Sequence, residues 1–159
     1  RMGQLMGRAQ QGEQMAAQFE ARLASLKPLK CRRKPVAIAW GQRGVALGKG
    51  TLAHSVMTAA GFDNLAAASG HDGMAPFPLE LLVTNPPDLI ILPHATPGAP
   101  ALADEALRHP VLNRLPGTVT ASFSRAALWS CGAPFTLDAV DELRQLASRL
   151  KPCQPEPGS

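Results

Sequence analysis

Apolar or small residues recur at Met2, Leu5, Ala9, Gly12, Ala16, Phe19, Leu23 and Leu26, in alternating steps of three and four. That spacing lines one face of an α-helix, which Pro28 stops. A helix of about 25 residues would be ~37 Å long at 1.5 Å per residue, more than a domain of this size needs internally. It reads as a strut extending towards something else. Pro35–Trp40, "PVAIAW", is apolar without alternation, the pattern of a parallel strand buried on both faces. A glycine-rich loop follows. Thr51 is placed to cap a helix over Leu52–Ala60, and Gly61 with Phe62 supplies a left-handed stop and its apolar contact.

After a loop carrying "SGHDGMAPFP", Leu79, Leu81, Leu82 and Val83 crowd a short helix that Pro86 and Pro87 end. Asp88–Leu92, "DLIIL", is a second buried strand, Asp104–Leu115 a broken helix and Thr118–Ala121 a third strand. Thr136 is placed to cap a helix running to Leu150, with Phe135 and Val140 at the spacing of a hydrophobic staple and Val140, Leu143, Leu146 and Leu150 facing inward. Strands alternating with helices predict an α/β fold: a three-layer, Rossmann-like, mostly parallel sheet of about four to five strands flanked by helices and preceded by a long connecting helix. The last residues, 152–159, are expected to fray as a Pro/Gly-rich tail.

A length of 159 residues fits one core, and 45% hydrophobic with 18% charged residues is a globular composition. The net charge of +4 gathers mainly in "KCRRK", Lys30–Lys34, between the first helix and the first strand. With no aromatic residues interleaved, this run is expected to be a solvated linker, and nucleic acid is not an expected partner. No stretch approaches the ~18 to 20 apolar residues of a membrane span. The pattern is already helical at Arg1, so the chain is expected to be a piece of something longer, and the lack of a signal-peptide pattern carries no weight. Cys31, Cys131 and Cys153 lack the spacing of a structural zinc site. Cys31 and Cys153 each follow a predicted helix end; they bridge if the compartment is oxidising and are free thiols otherwise.

In open α/β sheets ligands bind beyond the carboxyl ends of the strands. The candidates there are Trp40, Gln42 and Arg43 after the first strand, Pro93, His94 and Thr96 after the second, and Phe123, Arg125, Trp129, Ser130 and Cys131 after the third. Both tryptophans fall in this set. With Phe77 they suit either a flat apolar ligand or a cap on the core. Gly41–Thr51 fails the Walker pattern twice, since Gly50 follows Lys49 and Arg43 replaces the first glycine. "GKGTLA", Gly48–Ala53, satisfies G-x-G-x-x-A but starts too far from the strand for a dinucleotide fingerprint. None of the four histidines stands in a sequence-local nucleophile motif, so no enzyme activity, cofactor or resident metal is expected. A zinc or manganese site at His71, Asp72 and His94 remains an alternative, as does a Rossmann-like nucleotide-binding enzyme fragment on Gly41–Ala53.

The order of elements resembles the carboxyl-terminal lobe of the periplasmic substrate-binding proteins of ABC importers for iron-siderophores, haem or cobalamin, whose two α/β lobes are joined by one long helix. The residues carrying the resemblance are the helical stretch 1–26, "PVAIAW", "HSVMTAAGFDNLA", "PLELLVTNPPDLIIL" and "LWSCGAPFTLDAVDELRQLA". Within them Glu80 and Asp88 keep the family's spacing in the pattern E-x-L-x-x-x-x-P-D-x-I. The resemblance implies a connecting helix over residues 1–28, a lobe over 29–151 and an amino-terminal lobe outside this chain. It further implies a periplasmic or membrane-anchored extracytoplasmic location, a haem, iron-siderophore or corrinoid cargo and an ABC permease as partner. Trp40, Arg43, Phe77, His94, Arg125, Trp129 and Ser130 would face cargo, and Glu80 would dock on the permease. Phe77 stands where cobalamin binders can carry tryptophan. Arg43 or Arg125 would suit an anionic siderophore or a haem propionate.

Overall fold

The structure is a computed structural model, and it describes residues 7–92, 109–122, 128 and 131–155. Its centre is strand β1 (Val36–Gly41), whose side chains alternate between two buried faces. On one side β1 pairs in parallel with β5 (Leu89–Leu92), Ala37 opposite Leu89 and Ile38 opposite Ile90. β5 in turn pairs in parallel with β6 (Val119–Ser122). On the other side β1 turns back into the antiparallel β2 (Val45–Leu47), which pairs with the antiparallel edge strand β4 (Met74–Pro76). The two-residue β3 (Asp63–Asn64) pairs in parallel with the start of β1.

Among the described residues the sheet therefore has six strands in the order β4-β2-β1-β5-β6, with β3 off the path. That exceeds the four to five expected. The additional strands have two or three residues each, too short to show a period-two pattern, and β2 and β4 lie in stretches that read as loops.

Two cores cover the two faces. On the first, Ala37, Ala39, Leu89 and Ile91 meet helices α2 (Leu52–Ala60) and α5 (Thr136–Ala147) through Val56, Met57, Val140 and Leu143. The alanines of β1 keep that face low, so both helices can lie close. On the second, Ile38, Trp40 and Ile90 meet Ala66 of α3 (Leu65–Ala68), Leu82 of α4 (Leu79–Thr84), Leu112 and Leu115. The expected three layers follow from this alternation.

Helix ends follow the sequence in part. Thr51 accepts from the His54 N–H, and Gly61 at φ 92° closes α2 with the Phe62 N–H donating to Met57 O at 2.9 Å. The expected Thr136 cap differs. Its hydroxyl accepts from the Ala133 N–H and donates to Cys131 O, so it binds the preceding loop instead of the helix, and Phe135 is exposed rather than stapled. α5 ends at Ala147, although Leu150 beyond it is fully buried. The broken helix expected over Asp104–Leu115 is described only from residue 109, where Leu112–Arg114 forms a 3-10 turn.

The first helix, α1 (Ala9–Ala24), has 16 residues, roughly 24 Å, shorter than the expected strut. Gly7 at φ 68° breaks the pattern before it, and the residues before that lie outside the described set. No residue of α1 is buried. Phe19 is half-buried on the first core, while Arg22 pairs with Asp138 and Asp141 of α5.

The "KCRRK" run is not a free linker. Arg33 donates two 2.7 Å hydrogen bonds to the carboxylate of Asp88, which also accepts the Val36 N–H at 2.8 Å. This ties the starts of β1 and β5 together. Lys34 pairs with Asp63, and Cys31 is disulfide-bonded to Cys153. Of the tail expected to fray over 152–159, the first residues are thereby held, with Pro152 buried within the 3-10 turn Lys151–Cys153, and residues 156–159 lie outside the described set.

Candidate functional site

β1, β5 and β6 run in parallel, so their carboxyl ends share one edge of the sheet. At that edge β1 passes into β2 through the three-residue turn Gln42–Gly44, closed by the pairing of Gly41 with Val45. Arg43 sits in the turn at φ 59°, ψ 22°, the one non-glycine residue at positive φ among the described residues. Gly44 follows at φ 68°. A left-handed arginine costs about 1 kcal/mol or more, and such outliers persist where the surroundings over-determine them.

Those surroundings are visible. The Phe77 N–H donates to Gly44 O at 2.7 Å, and the Trp40 indole N–H donates to Phe77 O at 2.9 Å. The turn is thus fastened to a buried indole. Trp40 and Phe77 are each 1% exposed. Both are candidates to face ligand or to cap the core; in this structure they are buried and form the floor that holds the turn. Arg43 is exposed, and among the described residues its guanidinium has no partner.

β5 ends at the half-buried Leu92, and Pro93, His94 and Thr96 lie outside the described residues. The same holds for Phe123, Arg125, Trp129 and Ser130 after β6. Cys131 is described and is an exposed free thiol. The loop it opens bounds an apolar groove of about 340 Å³, walled by Met15, Ala16 and Phe19 of α1, Leu52 of α2, and Gly132–Pro134. The groove was not anticipated. Its one sequence signal was the apolar face of α1, which the periodicity assigned to a strut.

The glycine pattern Gly48–Ala53 has a packing explanation. A Cβ on Gly48 would lie 2.0 Å from His71 O, so the absence of a side chain lets the 48–49 backbone pair with 71–73. Among the described residues no three His, Cys, Asp or Glu side chains converge to hold a metal. His71 is half-buried against the Phe77 ring, Asp72 is exposed, and His94 lies outside the described set. Glu80 is exposed in the first turn of α4, flanked by Leu81 and Val83 at 38% and 45% exposure. Asp88, eight residues on, serves the opposite end of the sheet, where it is buried under Arg33. That hydrogen bond holds the Arg33 guanidinium above its ordinary pKa, against a smaller opposing effect of desolvation.

The fold has solved counterparts. The apo periplasmic haem-binding protein RhuT from Roseiflexus sp. RS-1 superposes with a TM-score of 0.67 at 24% identity, over 90% of this chain and 57% of its own. An ABC-type Fe3+-hydroxamate transport system protein from Saccharomonospora viridis DSM 43017 matches at 0.67 and 22%, over 91% of this chain and 51% of its own. The periplasmic vitamin B12 binding protein BtuF of Vibrio cholerae matches at 0.52 and 18%, over 88% and 52%. The chain thus spans little more than half the length of these structures. No curated protein sequence matches it. No helix among the described residues is long and apolar enough to cross a membrane. The model of the family described as periplasmic binding protein matches residues 1–120, and the chain belongs to that family.

Proposed function

We propose that this chain is the carboxyl-terminal half of an ABC-importer binding protein that captures a haem, iron-siderophore or corrinoid-type ligand in a cleft between two lobes. The observation that carries this reading is the edge where β1, β5 and β6 end. Arg43 stands there exposed and, among the described residues, without a partner, on a turn anchored to buried Trp40. Such a mount keeps a cation in place before the ligand arrives, which reduces the ordering cost of binding. His94, Arg125, Trp129 and Ser130 complete the proposed cargo face. Capture is non-covalent, without turnover, in an extracytoplasmic compartment; the Cys31–Cys153 disulfide fits an oxidising one.

Delivery follows by docking on a membrane permease. Glu80 supplies the charge and its exposed neighbours Leu81 and Val83 the apolar contact. In this reading α1 carries the second lobe at a fixed distance. Equilibrium titration of the two-lobed protein with haem, a ferric hydroxamate and cyanocobalamin tests it. The expected result is one cargo bound at micromolar Kd or tighter; no binding of any of the three would refute the proposed cargo class.

A further inference from the structure

The end of the sheet opposite the proposed cargo edge carries charge that none of this uses. Of the sixteen Lys and Arg residues in the chain, eight fall in two stretches, 27–34 and 144–151. The fold joins these stretches. Cys31 is bonded to Cys153, the Arg32 N–H donates to Pro152 O at 2.8 Å, and the Arg144 guanidinium donates to Lys27 O. Two of the cations are neutralised, Arg33 by Asp88 and Lys34 by Asp63. Lys27, Lys30, Arg149 and Lys151 are exposed, and among the described residues their side chains make no ion pair or hydrogen bond.

A structural role for these cations is to complement helix carboxyl termini. α2 and α5 end here, and α1 leads into Lys27. Three helix ends carry together about −1.5 charges. Four full cations exceed that, so the face keeps a positive surplus.

The shape of the surplus identifies its partner. The four cations stand two on each of the joined stretches and all four are exposed, whereas a site for a discrete phosphate is a concavity with its donors set around the ligand. Among the described residues the one exposed Phe or Trp is Phe135, which precedes α5 at the far end, so neither ring type stands among these cations to stack on a base. Long, solvated lysine and arginine stems suit a smeared, extended negative charge. The family works in a compartment bounded by a membrane. We propose that this face associates with the anionic headgroups of a bilayer surface, peripherally and without insertion, leaving the cargo edge at the far end of the lobe uncovered.

Sedimentation of the chain with vesicles of phosphatidylglycerol and phosphatidylcholine, against pure phosphatidylcholine, tests this. Wild type should partition several-fold more onto the anionic vesicles at low salt and lose that preference near 0.5 M salt. Lys30→Glu with Lys151→Glu should reduce the anionic partition roughly tenfold or more. Lys27→Glu with Arg149→Glu provides a second patch variant should the first fail to fold by circular dichroism. Arg8→Glu with Lys49→Glu, which makes the same net charge change away from the patch, should stay within about twofold of wild type. The proposal is overturned by equal partition onto both vesicle types, by equal loss in patch and control variants, or by tighter association with a short DNA duplex than with vesicles at equal phosphate.

Discussion

Arg43 and Asp88 divide the work of the two ends of the sheet. Arg43 accepts an unfavourable backbone at the carboxyl end of the parallel strands, whereas Asp88 satisfies two strand starts at the other. The account predicts opposite stability effects. Arg43→Gly removes the left-handed strain and should raise unfolding free energy by about 0.5–1 kcal/mol in urea while weakening binding of a carboxylate-bearing cargo. If cargo affinity is unchanged, Arg43 has no binding role. Asp88→Ala leaves the Val36 N–H and a partly exposed guanidinium unpaired, and should cost about 2–3 kcal/mol by the same assay without shifting cargo affinity. Some residue roles were legible. The Thr51 cap and the Gly61 stop follow from local backbone needs that a short window of sequence contains. The Arg33–Asp88 clamp was not, because 55 residues separate its partners and only strand pairing brings them together. For Trp40 the sequence leaves a ligand contact and a core cap both open, because its position after a strand places it at the carboxyl edge of the sheet without saying whether the ring lies over that edge or under it; the structure buries the ring.

Elements with a local apolar pattern fell close to expectation, and the two- and three-residue strands did not. α2, β1 and β5 fall where periodicity put them, since each buries a continuous apolar face. β2 and β4 owe their existence to each other and to β1, through backbone pairing that their three residues cannot announce. The exposed face of α4 carries its own prediction. In the two-lobed protein with its permease, Glu80→Arg should leave cargo affinity unchanged and lower uptake roughly tenfold; unimpaired uptake would remove the docking role. The segment before β1 and the turn after α5 are joined by a disulfide spanning 122 positions. Cys31→Ser with Cys153→Ser should cost about 2–5 kcal/mol, read as a lower thermal midpoint, with no change at the ligand edge.

At the scale of the molecule, two buried cores on a mixed sheet account for a stable lobe, and the family match extends from α1 into β6. The three-layer plan was legible because apolar strands between amphipathic helices permit few other packings. Four of the seven residues expected to face cargo, His94, Arg125, Trp129 and Ser130, lie outside the described residues. What separates a cargo-binding lobe from a lobe of the same fold with another task is where a ligand touches it. The most direct measurement is amide chemical-shift mapping of this chain titrated with haem, a ferric hydroxamate and cyanocobalamin, sensitive to Kd values up to about 1 mM. The account predicts that one of them perturbs residues 40–45 and leaves 30–34 and 149–153 unmoved; perturbation confined to the disulfide end, or none with any cargo, would contradict it.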